Sequence, residues 1–206
     1  MRLTIILFFL AFFLSACETD TSKNDKLPLP ILGEKEVVDG ETVYHTIPEF
    51  EFIDQDSNII TNASFEDKVY IVDYFFTHCP TICPKVKQQM IRIYDKYKDD
   101  DRVALISHTI DTPRDSVPRL KVYANRLEVS ADKWHFVTGD PKKISSMAKE
   151  YFITAIKDPD APGGYDHSGN LVLVDKNRMV RSFCNGLKPE EVDRMILDIQ
   201  KLLDEG

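Results

Sequence analysis

Apolar positions along the chain change period several times, and each change predicts an element. Phe50, Phe52, Ile59 and Ile60 flank Asp56-Ser57-Asn58, which predicts a short hairpin. Val69 to Phe76 is β-branched and aromatic apart from Asp73, the pattern of a central strand buried on both faces. Val86, Met90, Ile93 and Tyr97 recur at steps of three and four, predicting a helix over 85–98. Val103 to Ile110 predicts the next strand. The cap-rich turn Asp111-Thr112-Pro113-Arg114-Asp115-Ser116 then opens a helix over 117–127. Trp134 to Val137 predicts a strand, and 141–151 a helix with Pro141 in its first turn. Leu171–Val174 and Met179–Phe183 around Asp175-Lys176-Asn177-Arg178 predict a late hairpin. Val192, Met195, Ile196, Ile199 and Leu203 place an amphipathic helix over 188–203.

Strands that alternate with helices predict an α/β domain. Its sheet is expected to be mainly parallel, covered by helices and extended by β-hairpins. This is compatible with a thioredoxin-like fold, although the pattern alone does not separate it from other small α/β folds. With 206 residues the chain has room for one ordinary domain.

The first segment stands apart from that domain. Leu3 to Leu14 is an apolar run behind Arg2, too short to span a bilayer and suited to a signal-peptide core. It ends in Leu14-Ser15-Ala16-Cys17, which resembles the lipobox of bacterial lipoproteins, where the cysteine becomes the lipidated first residue. The expected organisation is a signal peptide over 1–16, a lipid-anchored tether over 17–47 and the folded domain over 48–206. The expected place is the cell envelope, facing the periplasm or another extracytoplasmic side, with acyl chains as the membrane contact.

Composition narrows the function. The net charge is −8 and the Lys and Arg residues are scattered, which excludes a basic nucleic-acid-binding surface. Four cysteines are present. With Cys17 used by the anchor, Cys79, Cys83 and Cys184 remain, and an odd count leaves at least one without an intramolecular partner. Cys79 and Cys83 fall between a buried strand and a helix N-terminus, where unpaired N–H groups favour thiolate. Their C-x-x-x-C spacing can close a disulfide or hold a soft metal between two sulfurs. A purely structural staple is disfavoured, because staples stabilise most when they join distant segments. Cys184 reads as a small buried apolar residue or as a third thiol. His78 adjoins Cys79 and either tunes it or is an ordinary loop residue. His45, His108 and His135 show no ligand-like spacing, and Trp134 reads as core.

The stretch Phe76-Thr77-His78-Cys79-Pro80-Thr81-Ile82-Cys83-Pro84 resembles the signature of the Sco/SenC family, the copper proteins of cytochrome c oxidase assembly. Tyr165-Asp166-His167-Ser168 is similar to that family's distal histidine motif. Asp111-Thr112-Pro113-Arg114-Asp115 stands in place of its Arg/Asp-bearing turn. The resemblance runs over residues 45–205. It implies a thioredoxin-like fold and one copper ion, Cu(I) or Cu(II), bound by Cys79, Cys83 and His167. It also implies a partner: the binuclear copper site of oxidase subunit II, or another exported copper protein. Thr81 departs from the pattern, since many members carry Asp there. His167 lies in a Gly/Pro-rich loop over 159–167, a placement that would let the ligand swing away.

Two functions follow. The first is a monomeric, membrane-anchored copper-binding and transfer protein, not an enzyme. The second is a thiol–disulfide oxidoreductase acting on exported cysteines. Asp73 bears on the second, since thioredoxins similarly carry a buried Asp six residues before their first active-site Cys. Asp73 either handles protons for the dithiol or is a hydrogen-bonded structural carboxylate. His167 discriminates, because metal binding needs it and dithiol exchange does not.

Overall fold

Two adjacent segments, Val69–Phe75 and Val103–Thr109, are buried at every position, and the rest of the chain is layered around them. The structure, a computed structural model, describes residues 28–205. In chain order the elements begin with β1 (Lys35–Val38), β2 (Glu41–Tyr44), β3 (Glu51–Asp54) and β4 (Ile59–Thr61). A 3-10 helix over Asn62–Phe65 leads into β5 (Val69–Phe75), α1 (Cys83–Tyr97), β6 (Val103–Thr109), α2 (Val117–Leu127), β7 (Trp134–Thr138) and α3 (Pro141–Glu150). The chain closes with β8 (Ala155–Lys157), β9 (Tyr165–His167), β10 (Asn170–Val174), β11 (Val180–Asn185) and α4 (Pro189–Asp204).

Seven strands form the main sheet in the order β11-β10-β5-β6-β7-β3-β4. The α/β fold expected from the pattern is present. The expectation of a mainly parallel sheet is corrected: only β5, β6 and β7 run parallel, and the other four pairings are antiparallel. The reason is local. The β3–β4 and β10–β11 hairpins occupy the two edges, and strands joined by tight turns pair antiparallel.

Strand alternation sorts the core into two layers. Ile71 and Phe75 of β5, Leu105 of β6 and Trp134 and Phe136 of β7 face the side covered by α1, α2 and α4. Tyr70, Val72 and Tyr74, with Ala104 and Ile106, face the side covered by α3 and Phe65. Asp73 falls in the row Ile71–Asp73–Phe75, so period two aims this carboxylate under α1.

Two hairpins depart from the sequence reading. β1 and β2 lie within residues 17–47, the stretch expected to be a tether. Their turn is Asp39-Gly40 with φ of 54° and 85°, the left-handed pair that a two-residue hairpin needs. Almost every residue of this hairpin is exposed, so no burial alternation marks it. β8 and β9 are three residues each and pair antiparallel where a Gly/Pro-rich loop was expected. The signal peptide and the Cys17 lipobox lie outside the described residues. No described helix is long and apolar enough to cross a membrane.

Candidate metal centre

The centre forms where β5 ends. Beyond Phe75 the chain crosses into α1 through Thr77–Ile82, and Asp115 pins this crossing. The Thr77 N–H donates to Asp115 Oδ2 at 2.9 Å and its hydroxyl donates to Oδ1 at 2.6 Å. The Thr109 hydroxyl, at the end of neighbouring β6, donates to the same carboxylate at 2.6 Å. Arg119 Nε donates to Thr77 Oγ1 at 2.6 Å. Cys79 is thereby held just above the sheet, and Cys83 is the first residue of α1, followed by Pro84. Both thiols are buried, and neither is in a disulfide.

Topology brings the third group from far along the chain. β10 runs antiparallel to β5, so its N-terminal end lies beside the C-terminal end of β5. β9 immediately precedes β10 and delivers His167 to the dithiol, across 84 residues of sequence. His167 is buried in a strand rather than mobile in a loop. Its Nε2 lies 3.4 Å from Cys83 Sγ. Its Nδ1 lies 3.3 Å from the Ser168 carbonyl, so an N–H there donates to that oxygen and leaves Nε2 as the ligand atom. The two sulfurs and an imidazole nitrogen all lie within 4.8 Å of one another. Among the described residues no fourth His, Cys, Asp or Glu joins this group. Two thiolates and one imidazole suit soft Cu(I), whereas a structural zinc site takes four protein ligands.

The thiols are electrostatically unequal. A hydrogen bond from the Cys83 thiol holds Cys79 down to about 3, against the opposing effect of burial. His167 and the backbone N–H groups of Thr81 and Cys83 add to the lowering. Cys83 is pushed up, first by that same bond and then by burial. The two thiols are thus driven in opposite directions, Cys79 towards the thiolate and Cys83 towards the thiol.

A second layer locks the His167 hairpin. Tyr165 donates its hydroxyl to Asp111 Oδ1 at 3.1 Å, and Arg114 Nε lies 2.5 Å from Asp111 Oδ2. Arg114 also donates to the Gly163 carbonyl at 3.4 Å. Phe76 sits beneath, edge-on to His167 at 5.7 Å and to His78 at 5.1 Å between ring centroids. His78 Nδ1 is 3.6 Å from Asp111 Oδ2, too long for a hydrogen bond, and is not among the grouped donors.

Other residues singled out in the sequence sit elsewhere. Thr81 places its hydroxyl 3.7 Å from Cys79 Sγ. Cys184 on β11 is buried against Met195 Sδ at 3.7 Å, and burial pushes its thiol up to about 12. Asp73 lies in the core under α1, outside the ligand group. Lys87 donates to both its oxygens, at 2.9 and 2.6 Å, and the Ser107 hydroxyl donates to Oδ1. Lys87 was missed in the sequence. The available signal was its position four residues after Cys83, on the stripe of α1 that faces the sheet.

Comparison with known proteins agrees with this geometry. The SCO1/SenC family profile matches residues 38–204. A SCO1 protein homolog of Bacillus subtilis is 28% identical over 158 residues, covering 76% of this chain and 82% of that protein. The structure of BsSco, a member of the Sco family of cytochrome c oxidase assembly proteins, superposes with a TM-score of 0.67 at 28% identity. That match covers 77% of this chain and 93% of the other. Copper-bound ScoI of Arabidopsis thaliana gives a TM-score of 0.64 at 25% identity, over 77% and 98% of the two chains. The chain belongs to the SCO1/SenC family, and its fold is thioredoxin-like.

Proposed function

We propose that this chain binds one copper ion through Cys79, Cys83 and His167 and serves the assembly of a respiratory cytochrome c oxidase. The convergence of two thiols and one imidazole within 4.8 Å carries this reading. The copper-bound relative and the assembly role of BsSco support it. Copper is cargo in this account. Cys79, whose charged form is favoured, would offer the entry ligand, and Cys83, pushed up, would lose its proton on binding the ion. His167 Nε2 then completes a three-donor site. Two thiolates, one neutral imidazole and Cu(I) sum to a charge of −1, which suits an ion that must be held and later released to softer or more numerous ligands.

Residues 1–16 are proposed as a leader and Cys17 as a lipidated anchor on the extracytoplasmic side of a membrane. The acceptor is proposed to be the binuclear copper site of oxidase subunit II or another exported copper protein. A second reading, thiol–disulfide exchange with exported cysteines, is supported by the Cys79 thiolate beside a protonated Cys83, the arrangement of an attacking and a resolving thiol.

The test is anaerobic titration of the reduced full chain with Cu(I) against a chromophoric chelator. Wild type is expected to take up one equivalent, and Cys79→Ser and Cys83→Ser to lose it. Wild type that leaves all copper on the chelator would end the copper reading.

A further inference from the structure

β11 is the outermost strand on one side of the main sheet, and its Phe183 ring is 64% exposed. Phe183 lies opposite Val172, itself opposite Val72 in the middle of β5, so the ring stands partway along the strands rather than at their dithiol end. Phe152, just past α3, is 50% exposed. Both rings line one open cavity of about 320 Å³, together with Leu32, Val172 and Val180. No charged residue lines that cavity. Phe183 also lines a second cavity, towards α4, with Leu29 and with Leu197, which is 59% exposed. One ring thus joins the two cavities, and Phe152, Phe183 and Leu197 make a single apolar face. Apolar residues scattered singly over a surface need no explanation, whereas a contiguous group marks a contact surface.

The occupant follows from where the chain enters. Residues 28–32 run beside β11 and are fixed there. Arg181 donates to the Pro30 and Leu29 carbonyls at 3.1 and 2.6 Å, and the Leu32 N–H donates to the Val180 carbonyl at 2.8 Å. Leu29 and Leu32 each line one of the two cavities, so the chain arrives on this face. Pro28 is eleven residues along from Cys17. Even fully extended, that stretch spans at most about 40 Å. A tether of this length holds its two ends at an effective concentration on the order of millimolar, so a weak apolar contact with the anchoring surface is enough. The tether itself is a poor occupant, because Glu18 to Lys26 holds only polar and charged residues.

We propose that the face formed by Phe152, Phe183 and Leu197 rests on the lipid surface that holds the Cys17 anchor. This deepens the anchored reading above and rests on Cys17 being acylated. The contact is apolar rather than electrostatic. The cavity between the phenylalanines has no charged lining, and the one towards α4 sets Glu191 and Asp198 against Arg194 and Lys201. Such binding scales with the apolar area buried and tolerates salt, because no excess of basic residues is there to draw anionic headgroups. Docking by the side of β11 leaves the C-terminal end of β5, where Cys79, Cys83 and His167 meet, open to a partner held at the same membrane.

The full chain is expressed in a bacterium that acylates lipoproteins and is reconstituted into phosphatidylcholine vesicles with brominated acyl chains, which quench tryptophan on contact. Trp134 is the single native tryptophan and is fully buried, so it gives a constant background. Phe183→Trp reports on the face. Val122→Trp, on α2 at 50% exposure, is the control, since α2 packs against β7 and β3, on the far side of the sheet from β11. Flotation and the mass of the N-terminal peptide report anchoring in the same samples. The added emission of Phe183→Trp is expected to fall by about two-fold against unbrominated vesicles, equally at low and high salt, while that of Val122→Trp stays constant. Phe152→Ser/Leu197→Ser in the Phe183→Trp chain is expected to restore the emission with flotation unchanged. An unquenched Phe183→Trp on chains that float overturns the docking and leaves the anchor standing. Equal quenching of both reporters, quenching that high salt abolishes, or quenching that survives the double substitution overturns it too. So does a dimer in detergent that Phe183→Ser converts to monomer, which would put a second copy on this face. Chains that stay off the vesicles with Cys17 unmodified break the anchor reading and the proposal with it, so the two failures are distinguishable.

Discussion

At the scale of single residues, the inequality of the two thiols comes from position along one short crossing. Cys79 precedes α1, where the Cys83 thiol and the backbone N–H groups of Thr81 and Cys83 favour its charged form. Cys83, as the first helical residue, is deeper and is pushed up by that bond and by burial. The sign is definite. Cys79, depressed to about 3, is a thiolate throughout the neutral and mildly acidic range and is protonated only as pH falls through that value. Alkylation of Cys79 by iodoacetamide is therefore expected to be almost as fast at pH 5 as at pH 7. An unperturbed thiol would instead slow about ten-fold for each pH unit below its ordinary value near 8.5, and that slope would contradict the assignment. Cys184, pushed up to about 12, is expected to react only after unfolding. The position of Cys79 and Cys83 between a strand and a helix start was legible in the sequence. Lys87 was not. A lysine in an amphipathic helix normally faces water, and its burial depends on a partner on a strand 14 residues earlier.

At the scale of elements, the β8–β9 hairpin brings a distant histidine to the dithiol. Gly163 permits the close approach. Its φ is +87°, and a Cβ there would lie 2.6 Å from Phe76 Cε2. Gly163→Ala is expected to destabilise the fold by about 1–3 kcal/mol and to weaken copper retention, measured by urea unfolding and chelator competition. Unchanged values for both would show that the hairpin does not depend on this contact. Tyr165→Phe removes the latch to Asp111 and leaves the ring on Phe76. It should raise amide hydrogen exchange across 155–167 with little change in α1, and equal exchange in both proteins would count against the latch. The motif around His167 was readable, but the hairpin that carries it was not. Its strands are too short to show a period, and prolines and glycines dominate the connection. The β1–β2 hairpin was missed for a different reason. Its Asp39-Gly40 turn signal is present, but exposed strands have no buried face to pattern.

At the scale of the molecule, the alternating strands β5, β6 and β7 separate two core layers, and their order was plain in the sequence because buried strands and amphipathic helices have distinct periods. The strand directions at the edges were not, since they follow from hairpin pairing rather than from composition. Arg181 joins the start of the described chain to its end. It donates to the Pro30 and Leu29 carbonyls at 3.1 and 2.6 Å, and to Asp175 and Glu205 at 2.8 and 3.2 Å. Arg181→Ala is expected to release residues 28–32 to limited proteolysis while leaving copper binding intact, and a digestion pattern identical to wild type would contradict that clamp. The central claim is the three-donor copper site, and X-ray absorption at the copper edge of the Cu(I)-loaded full chain tests it most directly. The account predicts two sulfur neighbours and one imidazole nitrogen in wild type, with the nitrogen lost and both sulfurs kept in His167→Ala. A wild-type spectrum with sulfur neighbours alone, or one that His167→Ala leaves unchanged, would contradict it.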